Sequence, residues 1–321
     1  MAQNTDESHS MGAFSNEVYL ATYCIILLLE IVCAAVNAII IMSFVKQPAL
    51  RKNKHMRLVY YLSVGDFLTA VGEAPYIIYM ICNWNPTFLD FDPVYILVAS
   101  IPLPMQLKVS AVITVGIALN RNIAIFLPAT FRQMDQGTYS TATLCVALFM
   151  AAFDAVLWFA LSPPTRMPNC GTSGCFVSDQ FRAYWGISNM ILGFIVIFLS
   201  IAIFFKIKAV QNKTAAVTQS NQNQRKFLQA NRTSTGILIS SLFFLTAPSV
   251  CVGVVELVGF SIFRLVGPFY SASVMSSGIC NAIIFIGCNS DARRLMSKPK
   301  GQSQTHMSIA ASAWSTGGHK F

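Results

Sequence analysis

Six charged residues stand inside long apolar runs of this chain: Glu30, Asp66, Glu73, Lys108, Asp154 and Glu256. A seventh, Arg121, closes such a run in IALNRNIAIFLPATFR, with Pro128 and Arg132 behind it. Charges in apolar surroundings do electrostatic rather than covalent work: they pair, hold a proton or a hard cation, or wait for a partner. Covalent chemistry lacks a matching constellation. His9, His55, His306 and His319 fall in tails or loops, the 9 cysteines form no CxxC pair, and no nucleophile motif occurs. An enzyme or a metal centre is therefore not expected.

The elements that must position these charges follow from the composition. Only 11% of the 321 residues are charged and 55% are hydrophobic, against about 25% charged in soluble domains. Seven apolar runs can be marked: Val18–Val45, Leu58–Cys82, Pro93–Phe126, Tyr139–Leu161, Tyr184–Phe205, Gly236–Phe260 and Leu265–Cys288. Each exceeds the roughly 20 residues a helix needs to cross a bilayer, and none alternates in polarity as a barrel strand would. The expectation is an all-α membrane protein, a seven-transmembrane helix bundle over 18–288. Residues 1–17 form a polar tail that lacks the basic start of a signal peptide, and 289–321 form a second tail. Pro102 and Pro104 predict a steep, kinked third helix; Pro75 and Pro248 fall inside the second and sixth. No three-helix repeat is visible, which weighs against transporters built from repeated halves.

The cations give the orientation. Lys46, Arg51, Lys52, Lys54 and Arg57 follow the first run, Arg132 the third, and Lys206, Lys208, Lys213, Arg225, Lys226 and Arg232 the fifth. Arg293, Arg294, Lys298, Lys300 and Lys320 follow the seventh, while the other side holds only Arg166, Arg182 and Arg264. The positive-inside rule then predicts an N-terminus outside, a C-terminus in the cytoplasm, and Arg121 facing the cytoplasm. The same arrangement accounts for the net charge of +9 without nucleic acid.

Depth along the helices groups the remaining polar residues. Asp66 and Asn37 lie near mid-membrane, and Ser110, roughly 16 Å above Arg121 at 1.5 Å per residue, joins them with Ser276, Ser277 and Asn281. A carboxylate ringed by hydroxyls and amides can hold a sodium ion or a proton, and it can equally be a hydrated network that fixes helix packing. Lys108, roughly 20 Å above Arg121, shares the outer half with Glu73 and Glu256. One or both acids can pair with it and line a ligand pocket, or form an ion pair that only supports structure.

These positions together resemble the rhodopsin-like G-protein-coupled receptors over nearly the whole chain. Asn37 matches the first-helix asparagine, Asp66 in LSVGDFL the second-helix aspartate, and Pro248 in FFLTAPS the sixth-helix proline. Asn120-Arg121-Asn122 stands in the place of the acidic-Arg-Tyr triplet, with Pro128 after it. The run from Asn281 to Phe285 stands where Asn-Pro-x-x-Tyr would be, and SDARRLM can begin a short helix along the membrane. The departures are also informative. Asn120 replaces the acid beside Arg121, Thr246 the sixth-helix tryptophan, and no cysteine lies between Pro93 and Arg121. Cys170 and Cys175, in an outer oxidising loop, can pair with each other or with Cys82. This drift, with ALNRNIAIFLPATFR, looks most like the nematode serpentine chemoreceptors, and among them the srbc class.

The resemblance implies a receptor in the plasma membrane, in the cilium of a sensory neuron, serving olfaction. A small-molecule or peptide cue from outside would shift the bundle between two arrangements, with Pro248, Asn281 and Phe285 as the switch. A heterotrimeric G protein would then meet Arg121, Asn120 and Pro128 at the inner end of the third helix. Membrane lipids are the other expected partners; oligomeric state is not legible. A ligand-gated channel or transporter is the alternative that the intramembrane charges allow. An opsin is disfavoured because Leu265–Cys288 contains no lysine for a Schiff base.

Overall fold

A computed structural model describes residues 16–214, 222–258, 263–289 and 293. Its longer elements over these residues are helices, joined by loops: α1 (Asn16–Lys46), α2 (Arg57–Cys82), α3 (Pro93–Ala99), α4 (Pro102–Phe126), α5 (Gln136–Leu161), α6 (Asp179–Thr214), α7 (Gln222–Ser241), α8 (Ala247–Leu257) and α9 (Phe263–Cys288). Both chain termini, with the proposed membrane-parallel helix, lie outside the described residues.

Among the described residues, six stretches are long and apolar enough to cross a membrane: Asn16–Lys46, Pro93–Phe126, Gln136–Leu161, Asp179–Lys206, Arg232–Val255 and Pro268–Cys288. The second marked run, α2, is 26 residues long and so reaches roughly 39 Å, but Asp66 and Glu73 lower its hydropathy. The third run is not one kinked helix. It breaks at Ser100 and Ile101 into α3 and α4, because Pro102 has no N–H to offer the Val98 carbonyl. Ile101 N donates to that carbonyl instead, at 3.4 Å. Prolines also open helices without cost at the first position, as Pro93, Pro102 and Pro128 do here.

α1 packs between α2 and α9; α4 touches α2, α5 and α6; α6 lies on α8 and α7 on α9. The faces turned away from these contacts are apolar, with Leu28, Phe149 and Phe198 at 62%, 70% and 75% exposure. Surface of that kind suits hydrocarbon and not water.

Inside, two large apolar clusters divide the bundle, with a small third around Cys33, Ala70 and Met275. One gathers Tyr23, Tyr76, Trp158, Phe181, Trp185 and Tyr270; the other gathers Phe44, Leu62, Ile113, Ile117, Ile237 and Phe285. The loop between α5 and α6 seals the first. Tyr23 Oη donates to the Gly171 carbonyl at 2.5 Å, and Ser173 N to Tyr76 Oη at 3.2 Å. Arg182 Nη1 reaches back to the carbonyls of Gly174 and Val177 at 2.9 and 2.6 Å. Asn169, at φ 57°, takes the left-handed turn that Asn tolerates and exchanges bonds with Leu89. Of the three cysteines left open by the sequence, Cys170 and Cys175 are joined by a disulfide and Cys82 is free and exposed. The five-residue separation makes this a local staple of the loop rather than a tie to a helix.

Candidate functional site

Arg121 sits at the far end of the bundle from this loop, near the C-terminus of α4. It is 3% exposed, and neither its Nε nor its Nη1 meets a hydrogen-bond partner among the described residues. The sequence places this side chain at the end of an apolar run; in the structure it is buried. The C-terminal end of α4 is pinned on both sides, which fixes where the guanidinium stands. Asn122 Nδ2 donates to the Leu199 carbonyl of α6 at 3.1 Å, and Tyr139 Oη of α5 to the Gly116 carbonyl at 2.7 Å. Asn120 is buried with its Oδ1 unpartnered, and no ion pair engages Arg121 among the described residues. Pro128 opens a short helix, Pro128–Gln133, with no buried residue.

Asp135 caps α5 by accepting from the amides of Gly137 and Thr138 at 3.3 and 3.1 Å. It also takes a 2.7 Å bond from Lys54. The Lys54 ammonium, then the Thr138 and Gly137 donors, hold its carboxyl well below the usual carboxylate range.

The mid-membrane polar layer is only partly the expected one. Asp66 Oδ1 accepts from Gln106 Nε2 of α4 at 2.7 Å, a partner not singled out in the sequence. No hydrogen bond joins Asp66 to Ser110, which is buried elsewhere on α4, among the described residues. Asn37 Nδ2 donates to the Cys33 carbonyl at 3.0 Å and reaches the Gly278 carbonyl at 3.5 Å. Asp66 Oδ2, Asn37 Oδ1, Ser277 Oγ and both polar atoms of Asn281 have no partner among the described residues. They belong to α1, α2 and α9, which pack together.

Lys108 does not pair with Glu73. Its Nζ lies 3.3 Å from Asp154 Oδ2 and 2.8 Å from Ser188 Oγ, with the two charged side chains at 0% and 1% exposure. Asp154 Oδ1 accepts from Tyr184 at 2.9 Å. Lys108 therefore faces α5 and α6, while Glu73 faces α9, where Ser271 Oγ donates to its Oε1 at 2.8 Å. Glu256 has a side chain outside the described residues. Beneath the loop a cavity of ≈ 10 Å³, among Trp158, Ser173, Phe181 and Trp185, barely holds one water.

Of the residues expected to act as the switch, Pro248 lies just past the α7–α8 junction and Asn281 and Phe285 lie on α9. Phe285 is fully buried, its ring 5.4 Å from that of Phe44. Residues 242–246 form a π turn in which Ala247 N donates to the Leu242 carbonyl, one residue before Pro248. The sequence showed the proline; the wider turn before it carried no signal of its own.

Residues 16–288 match a family model described as serpentine type 7TM GPCR chemoreceptor Srbc. The chain belongs to the Srbc family of serpentine chemoreceptors. No curated protein matches it. Its multiple apolar helices make it a multi-pass membrane protein, and its family is one of receptors, not enzymes.

Proposed function

We propose that this Srbc chain is a chemosensory receptor whose seven spans are completed by α2, with its N-terminus outside and its C-terminus in the cytoplasm. A small-molecule or peptide cue enters at the end sealed by the Cys170–Cys175 loop, and a heterotrimeric G protein engages the end that holds Arg121. The setting is the plasma membrane, in the cilium of an olfactory neuron. The reading is carried by Arg121. A guanidinium held 97% buried with donors unsatisfied is costly, and the cost is recovered when a partner brings carbonyl acceptors to it. Movement at the π turn and Pro248 opens that path, with Asn281 and Phe285 repacking against the inner cluster. Glu73, Lys108 and Glu256 stand below the loop as the proposed floor of the cue site. Asn120 and Pro128 shape the coupling surface beside Arg121.

We also propose that Asp66 binds a sodium ion. The orphaned Asp66 Oδ2, Asn37 Oδ1 and Ser277 Oγ are an all-oxygen donor set of the kind a hard cation takes, with Ser110 a further hydroxyl proposed for the same polar network.

The experiment is cue-screened nucleotide exchange on Gα in membranes carrying wild-type or Arg121→Ala receptor at equal surface density. A response that disappears in the variant is expected. A response of unchanged size would show that coupling does not run through Arg121.

A further inference from the structure

Where α1 ends and α2 begins, the surface holds a cavity of ≈ 250 Å³. One part of its lining is apolar: Phe44 and Leu50 are buried, and Val45, at 65% exposure, continues the lipid-facing side of α1. The other part is Arg51, Arg57, Tyr60 and Tyr61. The Tyr60 ring packs 5.1 Å from Phe44 and 5.9 Å from Tyr61, so the aromatic wall is already fixed. Among the described residues, no hydrogen bond or ion pair engages the side chains of these two arginines or two tyrosines.

Charge and backbone point the same way. The stretch from Lys46 to Arg57 carries five cations, Lys46, Arg51, Lys52, Lys54 and Arg57, and no acid. Lys54 is paired with Asp135, and Arg57 Nη1 packs beside Gly137 near the same carboxylate without an ion pair among the described residues. Arg57 is the first residue of α2, and Met56 before it supplies no side-chain cap, leaving first-turn amides that favour an anion.

We propose that this cavity binds an anionic phospholipid. Its phosphate lies between Arg51 and Arg57, and its glycerol and first acyl carbons lie on Val45, Phe44 and Leu50. A soluble anion would use the cations and leave the apolar lining wet; a zwitterionic lipid would fill the apolar lining and gain little from the cations. The proposal rests on the inward orientation of this end, since anionic phospholipid is concentrated in the cytoplasmic leaflet. The site couples that leaflet to α2, the helix that carries Asp66.

The test is lipid binding to the purified full chain in neutral detergent, read by native mass spectrometry with palmitoyl-oleoyl phosphatidylserine and phosphatidylcholine as probes. Phosphatidylserine is expected to bind preferentially. Arg51→Gln/Arg57→Gln should weaken it about 25- to 30-fold, at about fivefold per cation, and leave phosphatidylcholine unchanged. Should the double variant fail to fold, the exposed Arg51→Gln alone carries the comparison, with about a fivefold loss expected. Equal binding of the two lipids, or full phosphatidylserine binding by a folded variant, overturns the site. Displacement by glycerophosphoserine at matching concentration also overturns it, since a headgroup alone would then suffice. The measurement needs no bilayer, so its failure leaves the receptor orientation and the role of Arg121 standing.

Discussion

Ser273 Oγ donates to the Phe244 carbonyl at 2.6 Å, bridging α9 to the π turn four residues before Pro248. Pro248 has no N–H to give that carbonyl and its ring crowds it, so the hydroxyl of a neighbouring helix supplies the missing donor. The weak point of the α7–α8 rod is thereby tied to α9, which also carries Asn281 and Phe285. Ser273→Ala should leave a buried carbonyl short of a partner and cost about 1–3 kcal/mol in equilibrium unfolding in micelles. Pro248→Ala restores a backbone donor, so Ser273→Ala made in that background should cost much less. Additive losses in the double-mutant cycle would show that the two residues do not act on the same carbonyl.

The sequence exposed the charges and hid their pairing. Asp66, Lys108 and Asp154 are conspicuous as charges in apolar runs, because each carries a desolvation cost that a random sequence would avoid. Which of them meet depends on how far each helix is rotated about its axis, and a run that is apolar all round gives no face to read. Lys108 and Glu73 share a depth and still point to different neighbours. Gln106 escaped notice because an uncharged amide in a long run carries little signal. Proline punctuation was legible, but a break at Ser100 and a π turn ahead of Pro248 both follow from a proline that cannot donate to the preceding turn.

The Lys108–Asp154 pair supports structure first and any cue contact second. With both side chains buried, Asp154→Ala should strand the ammonium with Ser188 alone and cost about 3–5 kcal/mol. Replacing both, as Lys108→Met/Asp154→Leu, removes the charge to be satisfied and should recover most of that loss. Unfolding of the three proteins in the same micelle decides it: a double variant as unstable as Asp154→Ala would mean that packing, not charge, holds α4 to α5 and α6.

Sodium at Asp66 has a readout that needs no cue. Raising sodium at constant ionic strength, with choline as the balancing cation, should raise the thermal midpoint of the wild type, since a ligand that binds only the folded state stabilises it. Asp66→Asn keeps an acceptor for Gln106 and removes the charge that attracts the ion. Its midpoint should not move with sodium. Equal shifts in both proteins would assign the effect to general salt and remove the ion from Asp66.

Acid sensitivity should concentrate at the contact between Lys54 and Asp135. A carboxyl held below its unfolded value stabilises the folded chain fully above the ordinary carboxylate range and loses that contribution as pH falls through it. Between about pH 5 and pH 3, therefore, the unfolded chain takes up the proton first and the wild type should lose stability. Asp135→Asn retains a side-chain oxygen for the Gly137 and Thr138 amides, since Asn caps helices as Asp does, but it cannot titrate. Its thermal midpoint should fall less steeply over the same window, and the gap between the two proteins should narrow in high salt, because both partners are half exposed. Parallel pH profiles would show that Asp135 contributes through its cap alone and that Lys54 adds no charge-dependent hold on α5.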